Sequence, residues 1–236
     1  MAFKEAARVS TGLLSSRERR CLIWLADRMP RRVNSDHLTA LGLAAMFMVG
    51  VSYWLARDHP LTLLLAVAWL AVNWFGDSLD GTLARVRQCQ RPRYGFYVDH
   101  VLDTFGVLFA LGGLALSGYM SPLVAAGLLI AYYILSIELY LATYSLAEFR
   151  LSFWKLGPTE LRIVLAVGTL VLLVRPEVTI LGTKHLLFDI GGIGAIAGLL
   201  LATVVSAVGH VRELYAAEPL PHAAVQEAPC VPRRAD

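Results

Sequence analysis

Long uncharged runs constrain this chain more than any other feature. No charged side chain occurs in residues 38–56, 61–76, 104–137, 163–174 or 190–209. A helix needs about 20 apolar residues to cross a bilayer core of about 30 Å, so 104–137 is too long for one crossing. It divides at 117–122, where Gly118 suits a turn and Pro122 suits the first turn of a new helix. The chain therefore reads as an all-α integral membrane protein. Its expected core is a bundle of six transmembrane helices, at roughly 37–57, 61–87, 94–117, 122–149, 158–175 and 186–213. Only 17% of residues are charged, against about 25% in ordinary soluble domains. That balance argues against disorder, and no nucleic acid is expected as a partner. Cys21, Cys89 and Cys230 are widely spaced and form no metal or disulfide pattern.

Charge sets the expected orientation. Of the 21 basic residues, eighteen fall before the first span, in the second and fourth connections, or at the C-terminal end. Only Arg57, Arg175 and Lys184 fall on the other side. Positive-inside logic places both termini in the cytoplasm of a multi-pass protein, in the cytoplasmic membrane. The first 20 residues carry Lys4, Arg8, Arg17, Arg19 and Arg20 and lack the apolar core of a secretory signal. Residues 14–29 alternate Leu14, Cys21, Leu22, Trp24, Leu25 and Met29 with arginines. They read as an N-terminal amphipathic helix lying in the membrane interface. The expected organisation is a cytoplasmic segment at 1–36, a six-helix transmembrane domain at 37–215 and a flexible tail at 216–236.

The chemistry sits in carboxylates at the membrane boundary. An ionised residue inside a span costs about 2.5–3.5 kcal/mol on insertion scales and calls for a reason. Four aspartates cluster here within 27 residues, in the pattern D-x2-D-G-x2-A-R-x9-G-x3-D-x3-D. Asp77 and Asp80 share a helix face at spacing i, i+3, and Asp99 and Asp103 share one at i, i+4. The two helices are antiparallel, so both pairs lie at one membrane depth. Converging carboxylates repel one another in low dielectric. An all-oxygen set without His or Cys suits Mg²⁺, Mn²⁺ or Ca²⁺ rather than zinc, and a two-metal cluster there suits a phosphate or pyrophosphate. Gly81, Ala84 and Gly95 clear bulk beside the aspartates, and Arg85 offers a positive charge to a phosphate oxygen. Salt bridges to Arg85, Arg87, Arg91 and Arg93 would account for one such aspartate pair, but not for four aspartates with small residues cleared around them.

The pattern resembles the signature of the CDP-alcohol phosphotransferase family of membrane phospholipid-synthesis enzymes. All eight positions match: Asp77, Asp80, Gly81, Ala84, Arg85, Gly95, Asp99 and Asp103. A second family element, Pro-Asn-x-Leu-Thr before the first span, is matched only at Leu38 and Thr39, and Ser35 or Asp36 is expected to cap that span. The resemblance implies transfer of a phospho-alcohol from a CDP-linked donor to a hydroxyl acceptor, with release of CMP. It implies that Asp77, Asp80, Asp99 and Asp103 bind metal, with Asp103 also the base. It further implies that Gly81, Ala84, Arg85 and Gly95 lie against the CDP, and that the chain works as a homodimer among membrane lipids.

Other polar residues carry less. Glu138 is expected to be satisfied by Tyr132, Tyr140 or Thr143. His100 lies about 100° round the helix from Asp99 and reads as packed or interfacial. Pro158 reads as a first-turn proline. Arg150, Lys155, Glu160 and Arg162 face the side where an acceptor enters. The competing reading is a divalent-cation transporter, which calls for carboxylates near the bilayer midplane and broken helices.

Overall fold

A computed structural model describes residues 15–146, 158–180 and 182–218. Their order is α1 (Ser15–Arg28), α2 (Ser35–Leu55), α3 (Thr62–Val86), α4 (Pro92–Ser117), α5 (Pro122–Leu146), α6 (Pro158–Leu172), β1 (Glu177–Ile180), β2 (Thr183–Leu186) and α7 (Leu187–Ala217). Five of them, α2, α3, α4, α5 and α7, are long and apolar enough to cross a membrane. The expectation of six spans is corrected at α6. Its 15 residues rise about 22 Å, short of a hydrocarbon core of about 30 Å. The chain beyond it leaves the helix and forms a two-stranded antiparallel hairpin that the sequence reading lacked, with Glu177 opposite Leu186 and Ile180 opposite Thr183. The expected tail lies outside the described residues from 219 onward, as do Leu14, Arg150 and Lys155.

Local signals at the helix ends behave as their chemistry dictates. Gly118 closes α4 in the left-handed region, at φ 80°, which glycine enters without a Cβ clash. Pro92, Pro122 and Pro158 each begin a helix, where the missing N–H would have no partner anyway. The cap of α2 is a correction. Asn34 fills it, its side chain accepting from His37 N at 3.0 Å while His37 Nδ1 accepts from Asn34 N at 3.3 Å. Ser35 is thereby released for a contact described below.

α2 is the central post, packed against both α3 and α4. Glycines let its backbone touch theirs. A Cβ on Gly76 would stand 2.7 Å from Leu38 O and 2.8 Å from Gly42 N, so α3 lies on α2 without side chains between them. Gly50 and Gly113 make the equivalent crossing with α4, where a Cβ on either would collide with the facing backbone. Away from the aspartates, Val49, Tyr53, Leu63, Leu70 and Leu114 form the main core. The Tyr53 hydroxyl donates to Thr169 Oγ1 of α6 at 2.6 Å, since Thr169 gives its own proton to Leu165 O.

The N-terminal helix forms, but its buried face differs from the expected one. Leu22 and Ala26 are buried against Leu38, Leu79 and Leu83, so α1 is docked on α3 rather than merely lying beside the bundle. Trp24 stays 53% exposed, with the Arg28 guanidinium 4.1 Å above its ring. At the opposite end of the bundle, Asp189 at the start of α7 accepts from Ser121 N at 2.7 Å.

Candidate active site

The smaller core cluster of Leu22, Ala26, Leu38, Leu79 and Leu83 sits directly beneath the aspartates, on the α2–α3 crossing. Asp80 follows Leu79 and is only 6% exposed. Such burial demands donors. Thr39 Oγ1 donates to Asp80 Oδ2 at 2.7 Å, and Gly81 N donates to Oδ1 at 2.5 Å. Ser35 Oγ donates to the Asp80 backbone carbonyl at 2.8 Å. The first turn of α2 therefore grips Asp80 through two hydroxyls. Sequence reasoning used Thr39 only as a partial match and gave Ser35 to the cap. The signal for Thr39 was available, since Leu38-Thr39 was the surviving half of a family element.

Asp77, one turn earlier, pairs with Arg162 of α6. Arg162 Nη2 meets Asp77 Oδ2 at 2.5 Å, and the two side chains are 19% and 26% exposed. The partner comes from far along the chain and not from the neighbouring basic loop. Arg87 of that loop donates to the backbone carbonyls of Val33, Met29 and Pro30 instead. Arg91 pairs with Asp36 and covers the Tyr94 ring at 4.1 Å. These contacts tie the 87–91 segment to the entry of α2.

Asp77 on the same helix and Asp99 on α4 both lie within electrostatic range of Asp80. Asp103 is one turn further along α4, in electrostatic range of Tyr132 and Tyr140 on α5. It lies exposed on the chain surface. A cavity of about 340 Å³ opens beside it between α4 and α5 and includes Thr104, Phe105, Tyr133, Ser136 and Tyr140 in its lining.

The small residues divide. A Cβ on Gly81 would meet only Arg85 Nη1 at 3.5 Å and Nη2 at 4.0 Å, and one on Gly95 would meet nothing within 4 Å. Both glycines therefore border open space, as required for a ligand approaching the backbone. Ala84 is half-buried on the same helix. Arg85 Nη2 donates to Thr82 Oγ1 at 3.1 Å, holding the guanidinium along that face. His100 packs between Phe96, 4.1 Å away by ring centroids, and Tyr140, 4.9 Å away, in keeping with its packing assignment.

The donor set fits a hard divalent cation, since carboxylate and hydroxyl oxygens are what such an ion selects. Asp77 and Asp80 are turned toward protein donors, Arg162 for the one and Thr39 and Gly81 N–H for the other. Among the described residues, no three His, Cys, Asp or Glu side chains close around one point, and Arg162 stands where a cation would neutralise Asp77. α3 and α4 run unbroken through the aspartates.

Glu138 is a further correction. Its partner is neither a tyrosine nor Thr143 but His210 of α7, with Nδ1 to Oε1 at 2.6 Å. Among the described residues, Glu138 Oε2 and Asn73 Oδ1 are buried without a hydrogen bond.

No curated protein matches the chain closely enough to count as a relative. The sequence model of the CDP-alcohol phosphatidyltransferase family matches residues 35–213, more than half of the 236-residue chain.

Proposed function

The chain belongs to the CDP-alcohol phosphatidyltransferase family, and on that premise we propose that it moves a phospho-alcohol from a CDP-linked donor to an acceptor hydroxyl, releasing CMP. The family implies phosphotransfer from a CDP-alcohol in lipid synthesis, and five spanning-length helices put that chemistry in a membrane. The observation that supports the finer reading is that Asp77 of α3 and Asp99 of α4 both act on the buried Asp80 carboxylate, beside the open faces of Gly81 and Gly95.

In this reading Asp77, Asp80 and Asp99 hold Mg²⁺ or Mn²⁺, with Asp103 completing the set. Bound cations supply charge neutralisation for the pyrophosphate and for the departing CMP. The protein does the rest. Thr39 and Gly81 N–H fix the Asp80 carboxylate in one orientation. Gly81, Ala84 and Gly95 let the donor approach the backbone, and Arg85 offers its fork to phosphate oxygens. Asp103 accepts the acceptor's proton as the acceptor oxygen bonds to phosphorus, and the bond from phosphorus to the CMP oxygen breaks. Its exposed position beside the α4–α5 cavity gives an acceptor a way in. The site faces the cytoplasm of a cytoplasmic membrane, by the distribution of basic residues.

The test is CMP release by the purified protein in lipid, with CDP-diacylglycerol or CDP-choline against a panel of acceptors. Asp103→Asn keeps shape and an oxygen ligand but cannot take the proton. It is expected to lower kcat by roughly 10²–10⁴-fold with donor binding preserved. Turnover near the wild-type rate would remove Asp103 as the base. Absence of CMP with every donor and acceptor would remove the reaction itself.

A further inference from the structure

Glu18 lies on α1, outside the aspartate signature, yet one of its oxygens serves two other helices. Glu18 Oε1 accepts from Trp74 Nε1 of α3 at 2.8 Å and from Thr159 Oγ1 of α6 at 2.7 Å. Trp74 and Asp77 are three residues apart on α3, and Thr159 and Arg162 are three apart on α6. At that spacing each pair shares one helix face. The face of α6 held by Glu18 therefore also carries Arg162, and the face of α3 held by Glu18 also carries Asp77. A carboxylate at the first turn of α6 is in addition favoured by the partial positive charge of the helix start. Trp74 has a single polar atom, and Glu18 is its acceptor.

The Arg162–Asp77 contact has a chemical meaning beyond packing. Asp77 and Asp99 each lie within electrostatic range of Asp80, and unneutralised carboxylates at that range repel. A guanidinium on Asp77 offsets part of that repulsion. The same guanidinium opposes a divalent cation, because both claim Asp77 Oδ2 and both are positive. We propose that Glu18 is a positioning residue that seats Arg162 on Asp77, and that Arg162 is the resident counter-ion a divalent cation must displace. The proposal rests on the reading above that Asp77 is a metal ligand.

The experiment is Mn²⁺ binding to the purified full-length protein in micelles, followed by calorimetry. Arg162→Gln removes the competing charge and is expected to tighten Mn²⁺ by roughly two- to fivefold, the order of one partly exposed ion pair. Glu18→Ala unseats Arg162 and is expected to tighten Mn²⁺ in the same direction. Glu18→Gln keeps an oxygen acceptor for Trp74 and Thr159 and is expected to bind as wild type does. The double variant Glu18→Ala/Arg162→Gln is expected to match Arg162→Gln alone, because Glu18 acts only through Arg162. A purely structural Glu18 would lower the unfolding temperature without this non-additive pattern. If Glu18→Ala does not fold, Thr159→Val deletes only the α6 bond and must tighten Mn²⁺ on its own. An unchanged isotherm in Arg162→Gln, including no Mn²⁺ uptake by any form, overturns the proposal, as do additive effects of Glu18 and Arg162. CMP release by the wild type reads the reaction separately. Coupled Mn²⁺ binding without turnover retains the positioning role and rejects the phosphotransfer, and turnover with an uncoupled isotherm does the opposite.

Discussion

Gly81→Ala adds one methyl group beside Asp80, and the structure says what that methyl meets. Its nearest neighbours are the ends of the Arg85 side chain at 3.5 and 4.0 Å, an ordinary contact with a group that can move. Within α3, replacing glycine by alanine is worth up to about 1 kcal/mol in helix propensity. Stability is therefore expected to hold or rise, by about 2–4 °C at most for a chain of this size. If the open face of Gly81 exists for the donor, the same methyl intrudes on the ligand. Overpacking of about 1–3 kcal/mol corresponds to a loss of donor affinity of roughly five- to 150-fold. Gly76→Ala is the control. Its methyl would sit 2.7 Å from Leu38 O and 2.8 Å from Gly42 N, backbone on both sides, and would wedge α2 off α3 where Thr39 and Ser35 reach Asp80. That variant is expected to lose stability and activity together. Thermal unfolding in detergent and calorimetric titration with a CDP-linked donor read the two quantities apart. Wild-type donor affinity in Gly81→Ala would refute the assignment of that face to the ligand, and so would an unfolding temperature several degrees lower.

Orientation and the α5–α7 pair give two more expectations. Cys89 is an exposed thiol in the segment between α3 and α4, so in a Cys21→Ser/Cys230→Ser background a membrane-impermeant maleimide should label it in lysed but not in intact cells. Rapid labelling of intact cells would reverse the assigned topology. His210→Leu should destabilise the protein by leaving Glu138 buried without its partner, whereas Glu138→Leu/His210→Leu should recover most of the loss. Equal unfolding temperatures for the single and double variants would show that the pair does not couple α5 to α7.

Periodic and local signals were legible in the sequence. The starts and ends of α2, α3, α4, α5 and α7 follow from uncharged runs, Gly118 and the helix-starting prolines, and the four aspartates from their spacing. Contacts between residues far apart in sequence were not. Arg162 is an ordinary helix-end arginine until α6 packs on α3, and Glu18 looks like one more charge on an amphipathic helix. Asn34, Ser35 and Asp36 are all good cap residues, so only the tertiary demand of Asp80 decides that Ser35 serves elsewhere. The hairpin had a weak signal in Val178, Thr179 and Ile180 before Gly182, which adopts φ 84°. Four-residue strands are too short for periodicity to announce. Glu138 failed in the other direction, because nearby tyrosines on its own helix offered a plausible partner while the real one lay on α7.

The unequal attachment of the helices governs how the protein meets bilayers of different thickness. α7 has 31 residues, of which the uncharged run 190–209 rises about 30 Å, the thickness of the hydrocarbon layer, and almost none of its apolar stretch is buried inside the protein. It is packed chiefly along α5, with β2 at its outer end. α2, α3 and α4 are joined backbone to backbone at their glycine crossings and have no slack to give. A change in membrane thickness is therefore expected to be taken up as tilt of α7 about its seam with α5 rather than at the α2–α3 and α2–α4 crossings. The outer helix is placed to act as a suspension, and the aspartates ride on the tightly crossed part of the frame.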